Sequence, residues 1–412
     1  MVVILLKKIL SAVIAAAVML SVALTSYAYD FENPDYYNAD ELKGTVLNVY
    51  NWGEYISEEE DEEYYMFDIN SEFEKLTGIK INYTNFDTNE DLYAKLKSGG
   101  SSYDIVIPSD YMIQRLIAEG LVQKINLDNV PNYKYIAEEF RNMYYDENNE
   151  YSIPYCVSTV GLIYNTTMVD EKPTSWSVLW DPKYEGKILM FDNPRDTFAI
   201  AQKLLGQSLN STDSEEWRES AAELIAQKPL LQGYVQDEVY NKMIGGEAAL
   251  APYYAGDFLC MKEENEDLDF CYPTEGFNIF VDAACIPSCA QNVRAAEMYL
   301  NYLCDPRVGL ANAYATGYAT PNTKVREMEE YEELAQDPYL YPDEEEMNNC
   351  EYFFDMDDDT RALMNSLWLE VKASGQQGKG LYVCYAVTFV IIAAFLIYRA
   401  IHKRYIESFY DK

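Results

Sequence analysis

The segment LNVYNWGEYI, residues 47–56, decides the fold class because it joins a buried strand to a turn of unusual composition. Leu47 and Val49 flank a polar residue, a spacing that predicts a strand with one buried face. The turn that follows carries an indole, a carboxylate and a phenol: Trp52, Glu54 and Tyr55. Ligands of open α/β sheets bind beyond the carboxyl ends of strands. The turn is therefore either one wall of a binding site or a place where Trp52 packs on the next helix.

Strands and helices alternate outward from this segment, which predicts an α/β fold with a mostly parallel sheet. In the first half we expect strands at 46–49, 79–83 and 105–107, and helices ending near residue 76, covering 89–97 and running from 109 to 120. In the second half we expect strands at 188–190 and 283–286, and helices at 198–205, 212–226 and 293–303. Gly78 is expected to end the first helix and Asn89 to begin the second.

Residues 1–28 have the pattern of a secretory signal peptide. Lys7 and Lys8 precede an uncharged run at 9–24, and Ser26-Tyr27-Ala28 supplies small residues where cleavage would occur. An uncleaved N-terminal anchor is the alternative interpretation. Residues 29–43 are expected to be a linker that leads into the body.

A second apolar run, residues 381–398, carries no charge and is long enough to span a bilayer. Three basic residues follow it, and basic residues mark the cytoplasmic side of a membrane: Arg399, Lys403 and Arg404. This pattern predicts a flexible linker at 374–380, a transmembrane helix at 381–398 and a cytoplasmic tail at 399–412. A buried core helix is the alternative for the apolar run.

The chain is strongly acidic, with a formal net charge of −38. Both predicted terminal segments are basic, so the acidic excess lies in the body between them. Nucleic acid and anionic lipid are poor partners for such a surface, whereas a cationic ligand would be attracted to it. The alternative is an acidic surface that serves solubility alone.

The body of the chain lacks the residues that several classes of enzyme and metal site require. The only histidine is His402, in the predicted tail, so the body has no Ser-His or Cys-His pair and no histidine for a zinc site. No GxxxxGK[ST] phosphate-binding loop occurs. The seven body cysteines are odd in number and irregular in spacing, which predicts free, mostly buried thiols and no disulfide framework. We expect no metal, no cofactor and no enzymatic activity.

Six segments of the body carry a family resemblance, in this order: NVYNWGEYI, GIKINYTNFDTNEDLYAKL, YDIVIPSDYMIQRLIAEGLVQKIN, YSIPYCVSTVGLIYN, SWSVLWDPKYEGKILMFDNPRDTF and GYATPN. They resemble the spermidine/putrescine-binding proteins of bacterial ABC importers. The resemblance runs from about Gly44 to Lys372, which is nearly the whole body. It is the shared order of the six segments, more than any one of them, that makes the resemblance specific.

The resemblance implies a two-lobed periplasmic-binding-protein fold of type II, in which each lobe is a mixed sheet flanked by helices. Lobe 1 would comprise 44–153 and 282–318, and lobe 2 would comprise 154–281 and 319–373. The chain would cross between the lobes near Pro154, Asp282 and Tyr318. In this family a linear polyamine lies in the cleft, where aromatic faces cover its methylenes and carboxylates hold its ammonium groups.

The resemblance also implies a set of ligand-binding residues, carried over from the matching motifs. They are Trp52, Glu54, Tyr55, Ser109, Tyr111, Asn193, Arg195, Asp196, Gln236, Tyr254, Phe280, Asp282 and Tyr318. Some positions depart from the family pattern: Gly53 replaces a hydroxyl residue, Asn193 an aspartate, Phe353 a glutamine, and Tyr254 and Phe280 each a tryptophan. Structural roles are alternatives for some of them, since Asp282 also suits a turn and Arg195 also suits orienting Asp196.

The sequence thus implies an extracytoplasmic, monomeric polyamine receptor that delivers ligand to an ABC permease and is anchored in the cytoplasmic membrane. A receptor of the same fold for another cationic or small solute is one alternative. A ligand-sensing ectodomain is another, although the 399–412 tail is too short for a signalling domain. A hydrolase is a further alternative, and the missing histidine disfavours it. A carboxylate-pair hydrolase stays open, although no spacing singles out a pair.

Overall fold

The computed structural model describes residue 31 and residues 33–61, 65–100 and 102–375. The described residues form ten strands: β1 Val46–Trp52, β2 Lys80–Phe86, β3 Ile105–Val106, β4 Val122–Gln123, β5 Ser152–Asn165, β6 Ile188–Phe191, β7 Leu231–Val235, β8 Leu250–Tyr254, β9 Leu268–Cys271 and β10 Ile279–Pro287. No helix within these ranges is both long and apolar enough to cross a membrane. The predicted signal peptide, transmembrane helix and tail, at 1–28, 381–398 and 399–412, lie outside the described residues.

The same ranges contain thirteen α-helices, joined in places by short 3₁₀ turns. They are α1 Ile69–Thr77, α2 Asn89–Lys97, α3 Asp110–Ala118, α4 Pro194–Leu204, α5 Ser214–Gln227, α6 Glu238–Ile244, α7 Ala255–Glu264, α8 Val293–Leu303, α9 Pro306–Thr316, α10 Thr323–Arg326, α11 Glu332–Ala335, α12 Glu344–Met347 and α13 Asp358–Ala373.

One path of hydrogen-bonded strands runs through the protein in the order β2-β1-β3-β10-β5-β8-β6-β7. At one end β1 pairs in parallel with β2 and β3, and at the other β6 pairs in parallel with β7 and β8. The two parallel sets are joined through β10 and β5, which pair antiparallel to each other. The predicted α/β class with a mixed, helix-flanked sheet is confirmed.

The apolar core follows the same division of the path. One large cluster gathers around β5, β6 and β8, where Trp176 and Trp217 are almost fully buried. Two further clusters pack around β1, β3 and β10, and they bury Leu47 and Val49 completely, as their spacing predicted. The two parallel sets of strands therefore each have a packed core beneath them.

Several helix boundaries agree with the sequence patterns, and others show what the patterns missed. Helices α2 and α8 have the predicted bounds, and Gly78 ends α1 in the left-handed conformation with φ 75°. Thr88, and not Asn89, is the N-cap of α2, because its hydroxyl accepts a hydrogen bond from the Asp91 amide. Helix α4 begins at Pro194, earlier than expected, because proline is well suited to a first helical position.

The predicted linker at 29–43 is wrong for the part that the structure describes. Tyr37 is 1% exposed, and its ring centroid lies 6.0 Å from that of Tyr302 in an edge-on contact. Phe31 is buried in the same cluster. Aromatic side chains thus fix this segment to α8.

The seven described cysteines are free, as the irregular spacing predicted. Four of them are buried, and Cys260, Cys289 and Cys350 are partly exposed. The expectation of mostly buried thiols therefore holds for four of the seven.

Candidate functional site

A cavity of about 860 Å³ opens where the ends of the two parallel sets of strands meet. Twelve of the thirteen residues implied by the family resemblance line it: Trp52, Tyr55, Ser109, Tyr111, Asn193, Arg195, Asp196, Gln236, Tyr254, Phe280, Asp282 and Tyr318. These residues come from separate stretches of chain, and the fold brings them together.

The topology explains why they meet. Trp52 ends β1, Phe86 ends β2, and Ser109 follows β3 on one side. On the other side, the lining residues of the parallel set follow or end β6, β7 and β8: Asn193, Gln236 and Tyr254. The carboxyl ends of both sets thus face one cavity, which is the usual position of ligands in open α/β sheets.

Asp282 lies on β10 at a register shift between Asp282 and Ala283. Its Oδ2 accepts a hydrogen bond of 2.6 Å from the Tyr55 hydroxyl. Its Oδ1 is buried and has no partner among the described residues. Burial raises the pKa of Asp282 to about 6, a rise limited by the hydroxyls of Tyr55 and Ser109. A buried acceptor without a donor is costly, which makes this oxygen a candidate contact for a ligand.

Asp196 is held by two neighbours at the start of α4. The Asn193 side chain accepts from the Asp196 amide at 2.9 Å and donates to its Oδ2 at 2.8 Å. The Tyr254 hydroxyl donates to the same Oδ2 at 2.8 Å. Burial raises the pKa of Asp196, and these two donors oppose the rise. Asn193 thus begins the helix and fixes the carboxylate at the same time.

A third carboxylate, Asp257, lies in the first turn of α7. Its two oxygens accept from the hydroxyls of Tyr240, at 2.8 Å, and Tyr318. Burial raises the pKa of Asp257 to about 6. Tyr318 packs directly on Gly256, where an added Cβ would lie 2.3 Å from a ring carbon.

Aromatic rings form the walls between these carboxylates. The Trp52 and Phe86 centroids lie 4.4 Å apart, and those of Tyr254 and Phe280 lie 5.4 Å apart in an edge-on contact. The Tyr55 and Tyr318 rings also meet edge-on, at 5.0 Å. Trp52 therefore packs on Phe86 and lines the cavity at the same time.

A segment that we call the strap, residues 349–356, crosses beside the cavity and contributes Phe353 to its lining. Glu351 in the strap forms an ion pair with Lys203, which is 8% exposed. The Phe353 carbonyl accepts from the Tyr144 hydroxyl at 2.5 Å, and the Asp355 amide donates to Gln114 Oε1 at 2.8 Å. The strap is thus bonded to residues on both sides of the cavity.

Glu54 is the one predicted site residue that does not line the cavity. Its backbone has a positive φ of 47°, in the left-handed region that glycine favours. The next residue, Tyr55, does line the cavity. Sequence order alone could not show which side chains of this turn line the cavity, and a binding role of Glu54 stays a prediction.

The structure also adds lining residues that the sequence reasoning missed. They include Phe86, Asp87, Thr88, Asn89, Glu90, Asp110, Asp237, Tyr253, Asp257 and Asn278. The GIKINYTNFDTNEDLYAKL motif contains five of them and would have pointed to the β2–α2 turn as a further wall. Asp257 has no comparable signal, because an acidic residue in a first helical turn is common for electrostatic reasons.

The chemistry of this lining suits a cation that also carries apolar surface. Buried carboxylates with open oxygens accept from ammonium groups, and ring faces attract cations while covering methylenes. Among the described residues, no group of three or more histidine, cysteine or acidic side chains is placed to hold a metal ion.

Comparison with known proteins agrees with this geometry. A sequence profile of bacterial extracellular solute-binding proteins matches residues 69–338. The spermidine/putrescine-binding periplasmic protein of Escherichia coli K12 is 34% identical over 309 residues, which cover 74% of this chain and 86% of that protein.

Two solved structures are similar in both fold and sequence. A putative spermidine/putrescine ABC transporter from Listeria monocytogenes has a TM-score of 0.73 and 34% identity, covering 80% of this chain and 99% of that one. The spermidine/putrescine ABC transporter substrate-binding protein of Streptococcus pneumoniae has a TM-score of 0.66 and 35% identity, with the same coverage. The prediction that the chain is not an enzyme is confirmed by these binding-protein relatives. The chain belongs to the family of bacterial extracellular solute-binding proteins.

Proposed function

We propose that the protein is an extracytoplasmic receptor for a linear polyamine, spermidine or putrescine, and that it delivers this ligand to an ABC importer. One observation carries the proposal: of the residues that the structure describes, seven carboxyl groups and nine aromatic rings line the cavity, against a single guanidinium. An anionic ligand would meet uncompensated buried carboxylates there, which is prohibitive. The names of the Escherichia coli, Listeria monocytogenes and Streptococcus pneumoniae relatives support the same ligand class.

A polyamine alternates ammonium groups with methylenes, and the cavity lining alternates carboxylates with aromatic rings that match them. The open oxygen of Asp282 suits one ammonium, and Asp196, beside Tyr254, suits another. Between them, the rings of Tyr254 and Phe280 offer faces and edges to the methylenes. A buried ammonium without such carboxylates would not be tolerated.

Delivery to an importer requires release, and the proposed two-lobe division supplies a means. Lobe 1 would comprise 44–153 and 282–318, and lobe 2 would comprise 154–281 and 319–373. The pairing of β5 with β10 supports this division, because these two strands connect the parallel sets. A ligand bound between lobes favours the closed population by its differential affinity for that state.

We further propose that the receptor works as a monomer outside the cytoplasmic membrane, to which the 381–398 segment anchors it. The support is the sequence pattern alone: an exported N-terminus, an uncharged apolar run and a basic tail. Washing membranes with high salt and carbonate tests the anchor. Release of the full-length mature protein into the wash would contradict it.

Titration calorimetry of the full chain in a non-ionic detergent tests the ligand class. We expect saturable binding of putrescine or spermidine, and no binding of glutamate or phosphate at the same concentrations. Binding of an anion in preference to both amines would overturn the proposal. If the protein bound only a different cation, it would instead be a receptor for another solute.

A further inference from the structure

The carboxyl groups that line the cavity fall into two sets according to their hydrogen bonds. Five of the seven accept at least one hydrogen bond from a protein donor: Glu90, Asp110, Asp196, Asp257 and Asp282. The side chains of the other two, Asp87 and Asp237, accept none from the residues that the structure describes. Asp87 and Asp237 are therefore the lining carboxylates that the protein itself leaves without a donor.

Asp237 lies between the end of β7 and the start of α6, where it has no local structural use. Aspartate directly before a helix commonly accepts from a backbone amide of the first turn. The Asp237 side chain makes no such bond, and none of the ion pairs within 4.0 Å in the described ranges includes it. The residue is exposed and lines the cavity, so its carboxylate lies at the cavity mouth.

The Asp237 carboxylate approaches Gly53, which lines the cavity from the turn after β1. A Cβ added to Gly53 would lie 3.1 Å from Asp237 Oδ2, and apart from the chain neighbours of Gly53 no other described atom lies within 4 Å of it. Gly53 does not have a positive φ, so a left-handed backbone does not explain the glycine. What the glycine provides is room for the Asp237 carboxylate.

Gly53 and Asp237 belong to different lobes on the division proposed above, so their approach lies across the cavity mouth. A hydrogen bond runs beside it, in which Gln236 Nε2 donates to the Asp87 carbonyl at 3.1 Å. Partial burial raises the pKa of Asp237, and the nearby carboxylates of Asp87 and Glu54 raise it further. Acidic groups from both sides thus meet at the mouth, where a cation between them would be favoured.

Asp237 and Asp282 mark different depths of the cavity. Asp282 is 3% exposed and lies on β10, in the middle of the path of hydrogen-bonded strands. Asp237 is exposed and follows β7, the last strand of that path. A ligand that extends from Asp282 to Asp237 therefore extends from the interior of the cavity to its mouth.

We propose that Asp237 is a specificity-determining residue: its carboxylate, in the space that Gly53 leaves, accepts from the outer ammonium group of a polyamine long enough to reach the cavity mouth. This inference rests on the proposed polyamine ligand. Under it, Asp237 favours spermidine over putrescine, because the short diamine, held by Asp282 and Asp196, has no ammonium group left for the mouth. An ion pair at an exposed position contributes up to about five-fold in affinity.

The test compares three amines by titration calorimetry of the full chain in a non-ionic detergent: putrescine, spermidine and 1,8-diaminooctane. The last has the chain length of spermidine but only the two terminal ammonium groups, so it separates length from the number of charges. Asp237→Asn should weaken the binding of both long amines about five-fold more than that of putrescine. A loss confined to spermidine would show that the number of charges decides, and would overturn the proposal.

Glu238→Gln is the matched control for Asp237→Asn. Glu238 is the next residue and is also exposed, but it does not line the cavity. The substitution changes the net charge by the same amount and should leave the affinity ratio of long to short amines at its wild-type value.

Gly53→Ala tests the space beside the carboxylate. The new Cβ would displace Asp237 Oδ2, and we expect the ratio of long to short amines to fall by about two-fold. In Asp237→Ala, which has no carboxylate to displace, adding Gly53→Ala should not lower the ratio further. A further fall in that double variant would show that Gly53 does not act through Asp237, and would overturn the pairing.

The remaining outcomes are distinguishable. An unchanged ratio in Asp237→Asn, equal shifts in Asp237→Asn and Glu238→Gln, or wild-type protein that binds putrescine and neither long amine overturns the role of Asp237 and leaves the polyamine receptor standing. Absence of binding by all three amines to the wild-type protein overturns the proposed function itself. If the Asp237 variants fail to fold, Gly53→Ala decides alone, and an unchanged ratio in it overturns the proposal.

Discussion

The Tyr55 hydroxyl donates a hydrogen bond of 2.6 Å to Oδ2 of Asp282, and this bond ties the turn after β1 to strand β10. The other oxygen of Asp282 has no partner among the described residues. The protein therefore uses one oxygen, and under the proposed function the other accepts from the ligand. This division of one carboxylate between fold and ligand underlies the first two predictions.

Asp282→Asn should weaken amine binding strongly. The change removes the negative charge that faces a buried ammonium, which costs about 2–5 kcal/mol, or roughly thirty-fold or more in dissociation constant. Asp269→Asn is a control, because Asp269, like Asp282, accepts from tyrosine hydroxyls, in its case those of Tyr164 and Tyr339, but does not line the cavity. An affinity within about two-fold of wild type in Asp282→Asn would contradict the proposed site.

Amine affinity should fall as the pH drops below about 6. Asp282 and Asp257 have pKa values raised by burial to about 6, and a bound cation requires their ionised forms. Below that pH, binding must displace protons, and affinity falls by up to about ten-fold per pH unit for each group. Calorimetry between pH 5 and 8, in buffers of different ionisation enthalpy, should detect the released protons. Affinity that does not change over this range would contradict the linkage.

The ligand-free protein should show the opposite trend in stability. An aspartate whose pKa is raised in the folded state binds a proton there that the unfolded chain has lost, at a pKa of about 3.9. The contribution of Asp282 and Asp257 to the free energy of unfolding is therefore largest below pH 4, and it decreases as the pH rises towards 6. In Asp282→Asn, this decrease, measured by urea unfolding, should be smaller. If the free energy of unfolding changed with pH to the same extent in both proteins, this prediction would be contradicted.

Asn193→Asp should not act as a simple gain of negative charge. The new carboxylate would keep the helix start, but its second oxygen would stand about where Nδ2 now donates to Asp196 Oδ2, at 2.8 Å. Two carboxylates so close share a proton near neutral pH. We expect the variant to bind amines more weakly at pH 6 than at pH 8, with a steeper pH dependence than wild type. Equal slopes in the two proteins would show that the side chains move apart.

Glu351→Gln should loosen the strap. It removes the charge that pairs with the buried Lys203 ammonium, and we expect a loss of about 1–3 kcal/mol in the free energy of unfolding. Glu150→Gln is the control, because its pair with Lys124 is exposed and worth about 0–1 kcal/mol. Thermal unfolding measures both. Equal melting temperatures for the two variants would show that the strap is held by other contacts.

The sequence predicted those features that are encoded locally. Helix α8 has the expected bounds because its apolar residues repeat at helical spacing, and Gly78 ends α1 because a left-handed residue is needed there. The motifs that follow the ends of strands predicted part of the cavity lining, for example Trp52 and Asn193.

The remaining features depend on tertiary position. Asp257 is an ordinary acidic residue near a helix start, and only the fold brings Tyr318 and Tyr240 to it. Glu54 does not line the cavity although Gly53 and Tyr55 do, and the sequence has no signal for this difference within one turn. The partners of Arg195 in the strap lie 159 residues away in sequence, beyond the reach of any local pattern.

The pairing of β5 with β10 has a consequence for the order of binding events. On the two-lobe division proposed above, these strands lie at the pivot, where displacement during closure is smallest, and Asp282 is on one of them, paired with Cys156. On that division, Asp196 and Tyr254, on the other side, would travel farther. Asp282 would therefore already be close to its final position when the ligand first binds. The contact between the ligand and Asp196 would form later, as the lobes close. Loss of Asp282 should then slow association, whereas loss of Asp196 should speed dissociation.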